Sequence, residues 1–202
     1  RVCNTPGDIV EHLPTLCSYA KQCNSILELG ISICISTWAF LQGLSDHGYG
    51  GYGGGAKKLI GCDTKYHPNM EYVKSVAGEN GIEYAYHIQN DLTLDMTEIG
   101  EVDMTFIDTW HIYGQLKREL EKFAPYTKKY IIMHDTEIDG LHGESIRDSH
   151  NIVEMSKISG IPIREIVKGL WFAIDEFLQD HPEWIIDIVK RNNNGLTVLK
   201  RV

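Results

Sequence analysis

The sequence is poor in basic residues and has no long apolar run, and both shortages exclude broad classes of function. Its 202 residues carry 19 Lys and Arg against 28 Asp and Glu, a formal net charge of −9, with no basic stripe. This balance disfavours binding to nucleic acid or to an anionic membrane surface. No apolar stretch approaches the ~20 residues that a membrane-spanning helix needs, and no secretory signal pattern stands near Arg1.

The sequence has few cysteines, and they do not have the spacing of a disulfide framework. Their number, five, is odd, and no C-x-x-C pair occurs, which disfavours both a disulfide framework and a zinc knuckle. Reduced thiols in the cytoplasm are the simplest interpretation. The length suits one α/β domain over residues 1–202, whether it stands alone or is excised from a longer protein. The sequence does not indicate an oligomeric state.

Short apolar runs alternate with helical patterns along the chain. Strands are predicted at 26–29, 58–62, 84–88, 102–107 and 130–133, and helices at 9–20 (capped by Asp8), 36–42, 69–77 and 113–123. Beyond them we expect a loop at 137–143, a helix at 145–158, a strand at 163–167, a helix at 170–178 and a hairpin formed by 184–189 and 196–199. This order predicts a Rossmann-like α/β fold, with a mostly parallel seven-stranded sheet and a C-terminal antiparallel hairpin.

Residues 47–57 form a glycine-rich stretch that resembles a phosphate-binding loop. Lys57 is followed by Lys58 rather than by Ser or Thr, and a strand rather than a helix comes next. These departures exclude the P-loop interpretation. A flexible connection is favoured over an active-site flap.

A cofactor motif follows the first predicted strand. The run from Glu28 to Ser36 fits the pattern E-x-G-x-x-x-G-x-S, with Cys34 in place of the second glycine. Gly30 allows a tight turn beneath a ligand, Ser36 is predicted to cap the next helix, and Glu28 can bind the amino end of a methionine moiety. The Cβ of Cys34 is expected to narrow the approach of the cofactor.

Two further acids end the next strands. Asp63 can accept hydrogen bonds from both ribose hydroxyls, and Asp91 is placed to meet an adenine amino group. Either acid alone could be an ordinary solvated loop residue, but the order of Glu28, Asp63 and Asp91 favours S-adenosylmethionine. A dinucleotide oxidoreductase is disfavoured because its G-x-G-x-x-G fingerprint is missing.

A catalytic group is predicted at the ends of two neighbouring strands. Asp108 and Asp135 can hold one divalent cation, for which Mg²⁺ fits best, and His134 is either a third ligand or a polar residue that packs beside the site. A cation would lower the pKa of a bound hydroxyl, and His111 could take its proton. The alternative for His111 is a cap on the following helix.

Three runs resemble class I methyltransferases of the cephalosporin-hydroxylase and rhamnosyl O-methyltransferase type: 28–38, 106–113 and 130–136. The segment from Gly169 to Leu178 and the later Asn194-Gly195-Leu196 strengthen the resemblance. The resemblance implies S-adenosylmethionine as the donor, a divalent metal, and a sugar hydroxyl as the acceptor. By position it matches Asp108 and Asp135 to the metal acids and His111 to the base.

The expected reaction is O-methylation of a sugar such as rhamnose or another deoxyhexose of a glycan. A non-sugar diol is the alternative among enzymes. The alternative outside the enzymes is a non-catalytic cofactor-binding module of a larger glycan-synthesis protein. Cys34, in place of the second glycine of the cofactor motif, favours this alternative. The acidic loop 137–150 is a candidate wall for the acceptor pocket, and Tyr49, Tyr52, Trp110 and Trp171 are candidate aromatic faces.

Overall fold

A computed structural model describes residues 7–47 and 55–202, so most of the glycine-rich stretch, with Tyr49 and Tyr52, lies outside the described residues. The described chain contains a seven-stranded sheet. Its strands are β1 (Ser25–Leu29), β2 (Lys57–Asp63), β3 (Ile82–Ile88), β4 (Val102–Ile107), β5 (Thr127–His134), β6 (Trp184–Lys190) and β7 (Leu196–Arg201).

The sheet has the order β3-β2-β1-β4-β5-β7-β6. The first five strands in this order, β3, β2, β1, β4 and β5, run parallel to one another. The strand β7 runs antiparallel to both β5 and β6. The predicted Rossmann-like fold, its mostly parallel sheet and its C-terminal hairpin are therefore confirmed. The strand order reverses between β1 and β4, where open α/β sheets bind their ligands.

Helices cover both faces of the sheet. They are α1 (Leu13–Ala20), α2 (Ile35–Asp46), α3 (Asn69–Glu79), α4 (Met96–Ile99), α5 (Tyr113–Phe123), α6 (Glu144–Arg147), α7 (Ile152–Ser159), α8 (Ile163–Ile166) and α9 (Leu170–Asp180). Short 3₁₀ turns occur at Val10–His12, Asp91–Thr93 and Ala124–Tyr126. No helix of the described residues is long and apolar enough to cross a membrane.

The core has two halves, one on each face of the sheet. Ile26 packs on the face covered by α1, α2 and α3, while Leu27 packs on the opposite face beneath α5 and α9. Consecutive strand residues point to opposite faces, so an apolar run without polar alternation is what a strand buried on both sides requires.

The N-terminal helix begins later than the sequence suggested. A 3₁₀ turn covers Val10–His12, α1 starts only at Leu13, and no side chain caps either start, so the predicted cap by Asp8 is wrong. Pro14 explains the difference. A helix from Ile9 would place this proline in its interior, where it removes a backbone hydrogen bond, whereas it is tolerated in a first turn.

The segment 145–168 also differs from the prediction. The single helix expected at 145–158 is two helices, α6 and α7, interrupted near Ser149, whose φ is +54°, and Asn151 caps α7 through its side chain. The strand expected at 163–167 is the short helix α8, which follows Pro162. Ile166 packs with Ile112 in a small apolar cluster, so tertiary packing overrides the β propensity of this run.

Candidate active site

The carboxyl ends of the parallel strands border a cleft of about 520 Å³. Its walls come from the segments that follow β1, β2, β3 and β4, together with α5 and the start of α6. The lining residues are Gly30, Cys62, Asp63, Thr64, Lys65, Gln89, Asn90, Asp91, Asp108, Thr109, Trp110, Gln115 and Glu144. Of the strand-end acids predicted from the sequence, Asp63, Asp91 and Asp108 line this cleft, whereas Glu28 and Asp135 do not.

The turn after β1 depends on glycine at position 30. Gly30 has a φ of +86°, and a Cβ built there would lie 1.8 Å from the backbone oxygen of Asp108. The adjacent backbone also ties the strands together, because the amide of Asp108 donates to Leu29 O at 2.8 Å and the amide of Gly30 donates to Cys62 O. Gly30 thus lets the turn after β1 approach the end of β4.

The helix after this turn starts one residue earlier than predicted, and Ser36 is not its cap. Cys34 occupies the cap position with a φ of +71°, a left-handed conformation that favours glycine. Its side chain is fully buried in the core beneath α2. Cys34 is not among the residues that line the cleft, and the expectation that its Cβ narrows the approach of the cofactor stays a prediction.

Glu28 is fully buried at the foot of α2. Ser36 Oγ donates to Glu28 Oε1 at 2.6 Å, and Thr37 Oγ1 donates to Oε2 at 2.8 Å. Burial raises the pKa of Glu28 to about 8, although the hydrogen bonds from the two hydroxyls act to lower it. This carboxyl anchors the start of the helix, and its binding to the methionine end of the cofactor stays a prediction.

Asp63 holds the turn after β1 in place. Its Oδ2 accepts the backbone amides of Ile31 at 2.9 Å and Ser32 at 2.8 Å, and Oδ1 accepts the amide of Lys65. The carboxylate also borders the cleft. Its predicted hydrogen bonds to ribose hydroxyls are compatible with this position.

Asp91 begins a 3₁₀ turn after β3 and is buried. Gln115 Nε2 donates to Asp91 Oδ1 at 3.2 Å and also to Glu119 Oε1 at 2.8 Å. Glu119 is fully buried, and Thr109 Oγ1 donates to the same Oε1. Gln115 and Glu119 were not among the residues predicted from the sequence, although their spacing of four residues on the apolar side of α5 was a usable signal of burial.

Asp108, His111 and Asp135 form the group that suits a metal ion. One ligand atom from each lies within 4.8 Å of the others. His111 Nε2 is 3.1 Å from Asp108 Oδ1 and 3.1 Å from Asp135 Oδ2. Asp135 has a φ of +57°, and its Oδ1 is buried without a hydrogen-bond partner among the described residues.

His134 lies behind this group. Its Nδ1 is 3.4 Å from both Asp108 Oδ1 and Asp135 Oδ2, and its Nε2 lies 3.2 Å from the backbone oxygen of Asp8. Although burial lowers the pKa of His134, the two carboxylates raise it to about 10. Since Nε2 donates to Asp8, the protonated form is the one that suits Nδ1 between two carboxylates.

Two distant segments support His134. The ring of His12 packs edge-on against it, with centroids 5.6 Å apart, and His12 Nε2 hydrogen-bonds to Asn192 O and Asn193 O in the β6–β7 turn. The next residue of that turn, Asn194, accepts the amide of Glu137 at 2.9 Å. The N-terminal segment and the terminal hairpin thus meet beside the acidic group.

His111 is surrounded by carboxylates. Besides Asp108 and Asp135 at Nε2, Glu144 Oε2 lies 3.2 Å from Nδ1 and Asp139 Oδ2 lies 3.6 Å from it. Although burial lowers the pKa of His111, its acidic neighbours raise it well above 6.5. His111 does not cap α5, whose cap position is Ile112.

The acidic loop is only partly available to an acceptor. Asp139 is fully buried and its Oδ1 is 3.0 Å from Arg147 Nε, and burial raises its pKa to about 6. Glu144 reaches the cleft, where Trp110 presents its ring with Nε1 bonded to Ser145 Oγ. Trp171, in the first turn of α9, packs against the hydrophobic core and is not among the residues that line the cleft.

Comparison with known proteins finds no matching family model and no matching curated protein. Solved structures do match. A Klebsiella pneumoniae protein assigned as an O-methyltransferase superposes with a TM-score of 0.60 at 15% identity, over 95% of this chain and 80% of that one. The fold is that of the class I O-methyltransferases. The likeness extends over nearly the whole of this chain.

Two further methyltransferase-fold neighbours carry information about ligands. A Staphylococcus aureus protein assigned as a caffeoyl-CoA O-methyltransferase has a TM-score of 0.57 at 17% identity, over 95% of this chain and 83% of that one. The N-terminal domain of EvdMO1, determined in the presence of S-adenosylhomocysteine and D-fucose, has a TM-score of 0.52 at 14% identity, over 98% of this chain and 84% of that one.

Proposed function

We propose that this chain is an S-adenosylmethionine-dependent O-methyltransferase that uses a divalent cation and acts on a sugar hydroxyl. The observation that carries the proposal is the convergence of Asp108, His111 and Asp135 beside a cleft lined by Gly30 and Asp63. The candidate residues for the cofactor and for the metal thus adjoin at the sheet edge where α/β folds bind ligands, which supports the proposal.

The cleft residues suit the cofactor. Gly30 has no side chain, and a side chain at this position would collide with the end of β4. Asp63 offers carboxylate oxygens to the ribose hydroxyls, and Asp91 offers a hydrogen-bond acceptor at the opposite wall of the cleft. S-Adenosylmethionine supplies an electrophilic methyl group on its sulfonium. What the chain itself contributes is orientation and the exclusion of water around that group.

The acidic group suits a divalent cation. Two carboxylates and one imidazole nitrogen form an acceptable donor set for Mg²⁺, Mn²⁺ or Zn²⁺, and the unpartnered Asp135 Oδ1 fits such an ion as well. When bound, the cation lowers the pKa of an acceptor hydroxyl. Asp108, Asp135 and His111 would hold it, because His111 Nε2 is nearer to both carboxylates than His134 Nδ1 is.

This assignment differs from the roles predicted from the sequence, in which His134 was the possible third ligand and His111 was the base. A ring nitrogen that binds a cation cannot take a proton, so the ligand and base roles of His111 compete. Nδ1 of His111 faces Glu144 at 3.2 Å, the arrangement in which a carboxylate orients a metal-binding imidazole. The role of His111 as base stays a prediction. A pH–rate profile that loses its acidic limb in His111→Gln would support it.

Two observations support a sugar acceptor. The cleft wall next to Asp108 combines the Trp110 ring with the Glu144 carboxylate, an apolar face beside a hydrogen-bond acceptor that suits a hydroxylated ring. One neighbour was determined with D-fucose, a deoxyhexose. The caffeoyl-CoA assignment of another neighbour favours the non-sugar diol as the second candidate. Burial of Cys34 in the core, outside the lining of the cleft, supports a catalytic chain over a non-catalytic module.

The first experiment is calorimetric titration of S-adenosylmethionine and S-adenosylhomocysteine into the purified chain, with and without Mg²⁺. Binding should be followed by transfer of a labelled methyl group to deoxyhexose glycosides, with catechol as the competing acceptor. Asp135→Asn should abolish transfer, whereas Asp175→Asn, at an exposed position of α9, should not. Full activity in EDTA would overturn the metal role, and methylation of catechol alone would overturn the sugar.

A further inference from the structure

A second groove lies between α1 and the C-terminal hairpin, away from the candidate active site. One wall is the face of α1 that runs from Pro14 towards Gln22, and the other is formed by β6 and β7 with Tyr130 of β5. None of its lining residues borders the catalytic cleft. Its volume of about 440 Å³ lies within the range of about 300–1,000 Å³ that is typical of small-molecule sites.

The hairpin wall of this groove is basic, although the chain as a whole is acidic. Residues 188–202 contain four Lys and Arg and no Asp or Glu, in a chain with a net charge of −9. Two of these cations, Lys190 and Lys200, line the groove, and neither forms an ion pair with an acid in residues 7–47 or 55–202. Two ammonium groups without an acidic partner favour a ligand that carries negative charge.

The two lysines stand near opposite ends of the groove. Lys190 pairs with Leu196 in the sheet, and Lys200 follows four residues later on β7, which corresponds to about 13 Å along the strand. Leu196 and Val198 pack on the face covered by α1, and side chains alternate along a strand, so both lysines point to this face. A ligand with two separated anionic groups fits this spacing better than a single small anion does.

Asp187 lies between the two lysines, at a β-bulge. The register of β6 with β7 shifts between Ile186 and Ile188, so Asp187 is the extra residue of the bulge, and a bulge redirects the side chain it carries. Tyr19 Oη donates to Asp187 Oδ2 at 2.5 Å and so fixes the carboxylate in the groove. A carboxylate repels an anion at this middle position, whereas its remaining lone pairs can accept hydroxyl groups.

The helical wall offers hydroxyl groups opposite the carboxylate. Thr15 and Ser18 are three residues apart on α1 and both line the groove, and each hydroxyl can donate as well as accept a hydrogen bond. Ile188 and Pro14 add a small apolar area. The groove therefore combines two cations at its ends with hydrogen-bonding groups and a little apolar surface in the middle, which suits a hydroxylated ring between two acidic groups.

We propose that this groove binds an acidic oligosaccharide with hexuronates on alternate sugars. One uronate carboxylate meets Lys190 and the next meets Lys200, while the hydroxyls of the uncharged sugar between them donate to Asp187. An acidic peptide could supply the two carboxylates but has no ring hydroxyls for the middle position. The proposal is independent of the proposed function, because the groove lies outside the catalytic cleft.

The test compares two tetrasaccharides by calorimetry on the intact chain. A hyaluronan tetrasaccharide has a glucuronate on every second sugar, and chitotetraose is its uncharged counterpart. The acidic compound should bind at least about tenfold more tightly, and Lys190→Gln and Lys200→Gln should each weaken it about three- to fivefold, as loss of an exposed ion pair does. Lys157→Gln, at an exposed position of α7, is the matched control and should leave the affinity unchanged.

Variants of Asp187 separate a sugar site from simple attraction between charges. Asp187→Ala removes the acceptor for the ring hydroxyls and should weaken binding of the hyaluronan tetrasaccharide, whereas Asp187→Asn keeps an acceptor oxygen and should bind at least as tightly as the wild type. Attraction between charges alone predicts tighter binding by both variants, because each removes a negative charge from the groove. Circular dichroism would establish that both variants are folded.

Three results would overturn the proposal. They are equal binding of the two tetrasaccharides or of neither by the wild type, tighter binding by Asp187→Ala, and binding of tetraglutamate as tight as that of the hyaluronan tetrasaccharide. Each would leave the proposed function standing, because binding of S-adenosylhomocysteine is measured separately and uses the other cleft. Conversely, loss of methyl transfer in Asp135→Asn should leave binding of the tetrasaccharide unchanged.

Discussion

The buried carboxyl of Glu28 gives a prediction that joins stability to cofactor binding. It is fully buried beneath α2, and its hydrogen bonds come from the hydroxyls of Ser36 and Thr37. Burial raises its pKa from 4.5 to about 8. Glu28→Gln replaces this group by one of the same shape that carries no charge at any pH.

The expected size of the change in stability follows from the pKa of Glu28. A rise from 4.5 to about 8 corresponds to about 5 kcal/mol between the two protonation states. The unfolded chain loses this proton near pH 4.5, whereas the folded chain keeps it until about pH 8. The stability contributed by the protonated carboxyl is therefore complete below pH 4.5 and is lost as the pH rises to about 8.

Glu28→Gln should thus gain stability relative to the wild type as the pH rises. We expect a gain of about 3–5 kcal/mol between pH 4.5 and 8.5 in urea unfolding, with Glu83→Gln, at an exposed position of β3, as the control. A difference in unfolding free energy that stays constant over this range would refute the reasoning. If Glu28 binds the amino end of the cofactor, the same variant should also bind S-adenosylhomocysteine more weakly.

Three further predictions concern the cleft. Gly30→Ala should lower the free energy of unfolding by at least ~2 kcal/mol, because its Cβ would meet Asp108 O at 1.8 Å; an unchanged urea midpoint would contradict this. Asp63→Ala should weaken S-adenosylhomocysteine binding about tenfold or more in calorimetry, and unaltered affinity would show that the ribose contact is misplaced. Asp135→Asn should abolish Mn²⁺ binding seen by electron paramagnetic resonance, with Asp175→Asn as the control; retained binding would remove Asp135 from the metal group.

The site residues that the sequence could predict are those at strand ends. Asp63, Asp91, Asp108 and Asp135 follow apolar runs, and a parallel sheet brings its carboxyl ends to one edge, so local pattern was enough to gather them. Gln115 and Glu119 escaped notice because a polar residue in a helix is usually taken to face solvent. Gln115 also bonds to Asp91 in the turn after β3, a contact between residues 24 apart in the chain that no local pattern specifies.

The local errors have a similar cause. Ser36 has the residue type of a helix cap, but the fully buried Glu28 takes its hydroxyl and Cys34 occupies the cap position. The conformation of that loop depends on its approach to β4, a contact between residues about eighty apart in the chain. The β-branched residues at 163–167 predicted a strand, but this segment contains the helix α8. Packing of Ile166 against Ile112 accounts for the difference.

The support of His134 by both ends of the described chain has a consequence for folding. Asp8 and His12 reach the acidic group from one side, and Asn192 and Asn193 close on His12 from the other. Such contacts between residues about 180 positions apart form late, because a long loop must close first. Because the turn at Asn192 is synthesised long after Asp8 and His12, the complete surroundings of His134 can form only after residues 8 to 193 have all been made.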